Sequence, residues 1–410
     1  MIFKRMREQI LDKAIRGLLV PQLAEDGVVD QIGPAPSEVP FEIPEPWKWI
    51  SAKNVFELIS GRDLEKKDIS ESLTNDSQIP YITGASQIIN EEIVVNRWTS
   101  VASVYSYLDD LLLTCKGTVG KTAINKIGNI HIARQIMALR PNKETVILEY
   151  LKIYIDFISQ QLSNEAKSMI PGISRPTILN RFIPIPPLEE QKRIAAKIES
   201  LFDEIDRAEK AYEELQSLAN VLRGQILQKA IQGKLVPQQP EDGVVEQIGD
   251  APAEVPFEIP ESWKWLKIKE ICILQSGKFI KSSEISVSGL YPCYGANGVR
   301  GGVDKYNYDG DYIIIGRVGA CGNIHIANGK FYVTDNAIVA GFKKDLIDQK
   351  FLALSLTAMN LKKLASATAQ PLITSTKIEN LILSLPPLAE QKRIVAKVET
   401  LFEQIDLMTK

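Results

Sequence analysis

The segment KGTVGKT (116–122) holds glycine, lysine and threonine much as a nucleotide-binding loop does. Such a loop needs a glycine five residues before the Gly of its GKT. Position 115 is Cys, so ATP chemistry is not expected here. FIPIPPL (182–188) lacks both the Asn and the aromatic residue of the Asn-Pro-Pro-aromatic motif of adenine methyltransferases and reads as chain leading into a helix. The two histidines, His131 and His325, each stand in an NIHIA pentapeptide (129–133 and 323–327). No His, Cys, Asp or Glu cluster with metal-ligand spacing accompanies them, so strand or core positions are expected. Cys115, Cys272, Cys293 and Cys321 form no C-x-x-C pair and suit buried thiols in a reducing compartment. No catalytic residue, metal site or cofactor is expected.

What remains are two glycine turns with polar and basic residues beside them. A G-x-x-G turn follows an apolar run twice, at Gly117/Gly120 and at Gly319/Gly322. Glycines there either let backbone N–H groups approach a phosphate or simply close a tight hairpin. Reading base edges calls for Arg or Lys against guanine and Asn or Gln against adenine. The polar residues beside these turns are the candidates for such contacts. In the first half of the chain they are Ser86, Gln87, Arg97, Lys116, Lys121, Arg134 and Gln135. In the second they are Asn297, Arg300, Lys305, Arg317, Asn323 and Asn336. Tyr81, Tyr291 and Tyr294 are candidates for packing or backbone contact.

The net charge is −3, unusual for a DNA reader, but its distribution matters more than its sum. Residues 50–183 carry 15 Lys and Arg against 14 Asp and Glu, and residues 266–383 carry 14 against 9. The acid lies outside the two segments that hold the candidates. No run of about 18 apolar residues marks a membrane span, and the scattered charges of residues 1–20 do not form a signal peptide.

Two internal repeats determine how these candidates are positioned. Residues 9–49 recur at 225–265, an offset of 216, with 32 of 41 positions identical. PPLEEQKRIAAKIESLFDEID (186–206) recurs as PPLAEQKRIVAKVETLFEQID (386–406), an offset of 200, with 15 of 21 identical. Between the repeats lie dissimilar segments that agree only at their ends: Ser60-Gly61-Arg62 matches Ser276-Gly277-Lys278, and 171–187 faces 371–387. One fold is used twice, with divergent middles. Short strands are expected at 79–83, 111–115, 134–139, 312–316 and 337–341, and helices at 145–161 and 348–364.

The 186–235 stretch predicts one long helix of roughly 70 Å, begun by Pro186 and Pro187 and ended by Gly233. Its apolar residues Ile194, Ile198, Leu201, Ile205, Ala208, Tyr212, Leu215, Ala219, Leu222 and Ile226 follow a 3.5-residue period, the mark of a coiled-coil seam. Ile394, Val398, Leu401 and Ile405 continue the phase, as do Phe3, Met6 and Ile10. By the offsets, the two chain ends make up a second copy of the long helix. Connectivity then makes the two helices antiparallel, with a pseudo-twofold, nearly circular organisation. The proline-rich stretches 21–46 and 237–262 are more alike than the domains they join, which suggests a docking surface shared by both copies, or else a plain structural strap.

PPLEEQKRIAAKIESLFDEID, AIRGLLVPQ with AIQGKLVPQ, and IPEPWKW with IPESWKW resemble the specificity subunit of type I restriction–modification enzymes, over the whole chain. The resemblance implies a mixed α/β fold with two target recognition domains joined by two long antiparallel coiled-coil helices. Its parts would be an N-terminal half-helix (1–20), a connector (21–49), recognition domain 1 (50–183), the central helix (184–236), a connector (237–265), recognition domain 2 (266–383) and a C-terminal helix (384–410). It implies a cytoplasmic, non-catalytic subunit in which each domain reads half of a bipartite, asymmetric site in double-stranded DNA. The helices would set the spacing and bind methyltransferase subunits, two in number, with restriction subunits joining the assembled complex. The competing expectation is a coiled-coil adaptor whose end domains bind proteins.

Overall fold

The computed structural model describes residues 2–165, 172–366 and 371–409. The chain divides into two units, Met1–Lys210 and Ala211–Lys410, and the boundary falls inside the long helix Leu188–Ile231.

In the first unit, an antiparallel sheet runs in the order Phe56–Ser60, Ile136–Pro141, Leu111–Thr114, Thr122–Ile124. A second sheet runs Trp98–Thr99, Ile79–Ile82, Ile130–Ile132, Tyr105–Ser106, and its central pair is parallel. Strand Leu111–Thr114 explains the layering. Leu111 and Leu113 face a core shared with helix Leu148–Glu165 and the scaffold helices. Leu112 faces the core between the two sheets. Three consecutive leucines mark a strand buried on both faces. The second unit repeats the plan. Its sheets run Cys272–Ser276, Ala337–Phe342, Tyr312–Gly316, Ile324–Ala327, and Gly298–Val303, Tyr291–Gly295, Lys330–Val333, Tyr308–Asp309. Ile313 and Ile315 face the helices, and Ile314 faces the second sheet.

Two expected elements shift. The strand expected at 134–139 begins at Ile136, because Arg134 and Gln135 form a tight turn in which Ile136 N–H donates to Ala133 O at 2.9 Å. The helix expected over 348–364 is Gln349–Ala358. Asn360 adopts a left-handed φ of 51°, and a separate 3-10 turn, Leu361–Leu364, follows. The NIHIA pentapeptides fall on non-equivalent strands, Ile130–Ile132 of one sheet type and Ile324–Ala327 of the other. Their likeness is coincidental.

Within each unit a terminal helix packs against its part of the long helix. Arg7 of helix Ile2–Ile15 pairs with Asp206 and, at 2.9 Å, with Glu209. Arg223 pairs with Asp406 of helix Leu388–Met408. Ile194, Ile198, Ile205, Ile226, Ile394, Val398 and Ile405 are buried as the seam requires, and Leu201 and Leu401 are partly so. Tyr212, Leu215 and Leu222 are not in it, being 42%, 38% and 44% exposed, and Met6 and Ala208 are exposed too. Beyond Ile205 the buried stripe passes through Ala219, Ile226 and Ala230, and Arg223 takes the place the heptad phase gave to Leu222. Helix Leu388–Met408 ends level with Tyr212 and Gln216, whose side chains donate to Thr409 O at 3.3 and 3.1 Å. The junction of Met1 and Lys410 lies outside the described residues.

The near-identity of the connectors has an internal cause. Glu190, 1% exposed, accepts from Trp47 Nε1 at 3.0 Å and Gln22 Nε2 at 2.9 Å. Glu390 does the same with Trp263 at 2.9 Å and Gln238 at 2.6 Å. Arg193 holds Asp26 through two bonds of 2.7 and 2.5 Å, and Arg393 holds Asp242 through two of 2.8 and 2.5 Å. Gln191 and Gln391 receive the backbone N–H groups of Ile147 and Asp348 at 2.8 and 2.7 Å. The EQKR motif thus straps each connector and each domain to its helix. Gly233 turns the chain out of the long helix with φ 70°, and a Cβ there would lie 2.5 Å from Pro260 Cγ. Gly17 meets Pro44 in the same way. Only glycine fits both demands.

Candidate nucleic-acid interface

Both units gather the same loops at one end of their sheets, and backbone hydrogen bonds establish the equivalence. Gly61 and Arg62 N–H donate to Ile136 O (3.1 Å) and Ile132 O (2.9 Å); Gly277 and Lys278 donate to Ala337 O (3.0 Å) and Val333 O (2.9 Å). Cys115 N–H donates to Gln135 O, and Arg317 N–H to Asn336 O. Ala133 N–H meets Ile82 O, and Thr334 N–H meets Tyr294 O. The loops after strands Phe56–Ser60, Ile79–Ile82 and Leu111–Thr114, with the turn at 133–135, therefore converge, as do their counterparts in the second unit.

The G-x-x-G turns are the hairpins Leu111–Ile124 and Tyr312–Ala327. Their second glycines are occupied internally: Gly120 N–H donates to Thr114 O at 3.0 Å and Gly322 N–H to Gly316 O at 2.8 Å. Lys121 N–H donates to Thr114 Oγ1 at 2.9 Å. These N–H groups cannot cradle a phosphate, so Gly120 and Gly322 are corrected to turn residues. Gly117 and Gly319, with φ 74° and 77° and nothing within 4 Å of a Cβ, form the open tips. Cys321 Sγ stands 3.0 Å from both Arg317 O and Pro371 O and pins the second turn.

Side chains from the candidate set separate into three groups. Some are absorbed by the fold. Gln87, 1% exposed, accepts from Thr83 N–H at 2.7 Å and donates to Tyr81 O at 3.1 Å. Lys121 Nζ binds Ala85 O and Ile88 O at 3.2 and 3.1 Å, tying the first turn to the neighbouring loop. Lys305 pairs with Glu284 at 2.6 Å and Arg134 with Asp63 at 2.7 Å, which neutralises both cations. Tyr81 packs on His131 at 5.1 Å, Tyr294 on Phe331 at 5.6 Å and Tyr291 on Tyr306 at 5.1 Å. His131 itself is fully buried, accepts at Nδ1 from Ser103 and Val104 N–H at 3.3 Å, and places Nε2 2.8 Å from Arg62 O. Burial lowers its pKa.

A second group lies exposed on the loops: Ser86, Lys116 and Gln135 in the first unit, and Asn297 and Asn323, joined at 2.8 Å, in the second. Asn336 is half-buried beside them.

The third group consists of arginines at matching places. Thr83 and Gly295 are equivalent by the bonds above. Arg97 Nη1 reaches Thr83 Oγ1 at 3.4 Å. Arg300 crosses Gly295 so closely that a Cβ there would lie 2.7 Å from its Cδ. Arg317 Nη1 reaches Ser276 Oγ at 3.4 Å. The counterpart contact in the first unit is made by Arg175, which the sequence reading missed, at 3.1 Å from Ser60 Oγ. The signal was present in the Ser-Gly-Arg and Ser-Gly-Lys match at 60–62 and 276–278.

Among the described residues no helix is long and apolar enough to cross a membrane. Residues 44–217 and 260–410 match the model of the type I restriction modification DNA specificity domain. Over its length the chain is 28% identical to the MjaVIII specificity subunit of Methanocaldococcus jannaschii, covering 90% of this chain and 89% of that one. It is 23% identical to the EcoAI specificity subunit of Escherichia coli, covering 98% and 89%. A 145-residue stretch is 39% identical to the EcoprrI specificity subunit of E. coli and spans 36% of that protein. In fold it is similar to a chain from a type I R-M system structure concerned with complex assembly and conformational transition, at TM-score 0.69 and 21% identity over 90% of this chain and 93% of that one. It is also similar to the HsdS subunit of Thermoanaerobacter tengcongensis, at TM-score 0.55 and 20% identity over the same shares. These relatives set aside the protein-binding adaptor: the chain belongs to the family of type I restriction–modification DNA specificity subunits.

Proposed function

We propose that each unit reads one half of a bipartite, asymmetric DNA site with its loop end, through Arg97, Ser86, Lys116 and Gln135 in the first and Arg300, Asn297, Asn323 and Asn336 in the second. The observation that carries this reading is one loop framework built twice, with matching backbone bonds and dissimilar exposed side chains. A framework that holds constant while its polar tips differ suits two readers of different sequences. The scaffold helices fix the spacing between half-sites and dock two methyltransferase subunits, and restriction subunits join through them. The chain itself is non-catalytic and works in the cytoplasm, where the DNA is.

The net charge of −3 supplies little of the phosphate attraction that dominates affinity. Most of that attraction comes from the partners. The purified chain should bind its site weakly and with strong salt dependence, and adding the methyltransferase subunit should tighten binding by orders of magnitude. Titration of a labelled duplex with each preparation tests this. Tight, specific binding by the lone chain at physiological salt would overturn it.

A further inference from the structure

The two units deliver a guanidinium to the same serine by different routes. Ser60 and Ser276 close equivalent strands and precede equivalent glycines. In the first unit Arg175, at the start of helix Arg175–Leu179, donates to Ser60 Oγ at 3.1 Å and Leu58 O at 2.9 Å. In the second, Arg317 follows strand Tyr312–Gly316 and donates to Ser276 Oγ at 3.4 Å. The bonds from Ile173 N–H to Cys115 O (2.8 Å) and from Ile373 N–H to Arg317 O (3.0 Å) make Cys115 the counterpart of Arg317 and Ser375 that of Arg175. Neither arginine has an arginine opposite it in the other unit, yet both guanidinium groups arrive at the same place.

Among the described residues neither has a carboxylate partner, in contrast to Arg134 on Asp63 and Lys305 on Glu284. A serine hydroxyl orients the guanidinium and leaves most of its five N–H donors and all of its charge unspent. Arg317 lies two residues before the open tip at Gly319, and Arg175 two residues after Ile173, whose N–H binds Cys115 O at the base of the hairpin that carries Gly117. A contact that reads a base should differ between domains that read different half-sites. What both half-sites share is the sugar–phosphate backbone, which positions without specifying. The geometry points to Arg175 and Arg317 as equivalent clamps, each on one DNA backbone phosphate, with Ser60 and Ser276 as their positioning residues. This rests on the DNA-reading function above and deepens it.

The test uses the full chain assembled with its methyltransferase subunits, a duplex carrying its site, and binding measured across salt concentrations. R317C installs the first unit's residue. R317C/S375R then supplies the guanidinium by the first unit's route. R317C should weaken binding about tenfold and reduce the salt slope by about 0.9, the share of one phosphate, while the methylated sequence stays the same. R317K should keep the slope, and R317C/S375R should regain it. R175S should repeat the loss. The clamp is overturned if R317C, melting like the parent, keeps the parental slope, if the base sequence methylated changes, or if the folded double variant regains nothing. A parent complex without sequence-specific binding would sink the DNA-reading function instead, so the two failures are distinct.

Discussion

Glu390 and the Asp242 that Arg393 holds, one helical turn away, respond to pH in opposite senses. The two hydrogen bonds from Arg393 hold the Asp242 carboxyl below its ordinary value, and Arg193 does the same for Asp26. A depressed carboxylate contributes stability that is complete above its unfolded pKa. That contribution disappears as pH falls below the ordinary Asp value of 3.8 and through the depressed one. Burial raises Glu390 despite its bonds from Trp263 and Gln238, so its ionisation on the way up in pH counts slightly against the fold. The aspartates, each in a bidentate pair, should set the acid limb. A D26N/D242N variant should lose about 1–3 kcal/mol at neutral pH, and its melting temperature should fall less on acidification than the parent's. Thermal melts between pH 3 and 7 check both. Equal neutral stability would mean that the straps do not depend on these pairs. The residue scale was also the least legible in the sequence. EQKR and WKW are conspicuous as repeats, but nothing in one strand of text says that Glu190 and Trp47 meet, since 143 positions separate them. That Gln87 and Lys121 are engaged within the fold was hidden for the same reason. Their partners, Thr83, Ala85 and Ile88, are set by tertiary placement.

Helices and strands were more legible, because periodicity is a local property. The apolar runs at 111–115, 312–316 and 337–341 became strands within a residue or so, and Gly233 ended the long helix where a left-handed residue was needed. The seam held at Ile194, Ile198, Ile205, Ala219 and Ile226, in one heptad phase, and failed at Tyr212, Leu215 and Leu222, beside which Arg223 reaches Asp406. Two substitutions on the long helix separate the sequence phase from the structural one. Ile205→Asp puts a charge at a position 5% exposed and should cost about 2–5 kcal/mol in lost burial, before the penalty of the unpaired carboxylate. Leu222→Asp, at 44% exposed, should be close to neutral although the heptad count gives it the same standing. Denaturant unfolding of the two variants beside the parent checks this. A Leu222→Asp loss equal to that of Ile205→Asp would restore the uninterrupted heptad.

At the scale of the whole molecule, the order of repeats is the informative quantity, and it was readable at once. The offset of 216 aligns the segments entering the two recognition domains, and the offset of 200 aligns those leaving them. Each domain is thus received and released by the same scaffold parts, and the paired entering and leaving strands bear this out locally: Lys48–Ser51 with Phe182–Ile185, and Lys264–Lys267 with Ile382–Leu385. A domain from one place should therefore fit the other. Replacing residues 50–183 with a copy of 266–383, and leaving both scaffold repeats intact, gives a chain with two identical readers. Where scaffold repeats are related by a twofold operation, identical readers meet inverted half-sites, as palindromic operators mirror a symmetric dimer. The chimera, assembled with its methyltransferase subunits, should methylate an inverted repeat of the half-site that the second domain reads in the parent. The number of unread bases between the halves should stay close to the parental number, because the helices are unchanged. Mapping methylated adenines in cells that express each complex reads both quantities at once. A direct repeat would leave the family and the DNA-reading loops standing but would refute the antiparallel scaffold. A spacer that changed with the domain would move the ruler from the helices to the recognition domains themselves.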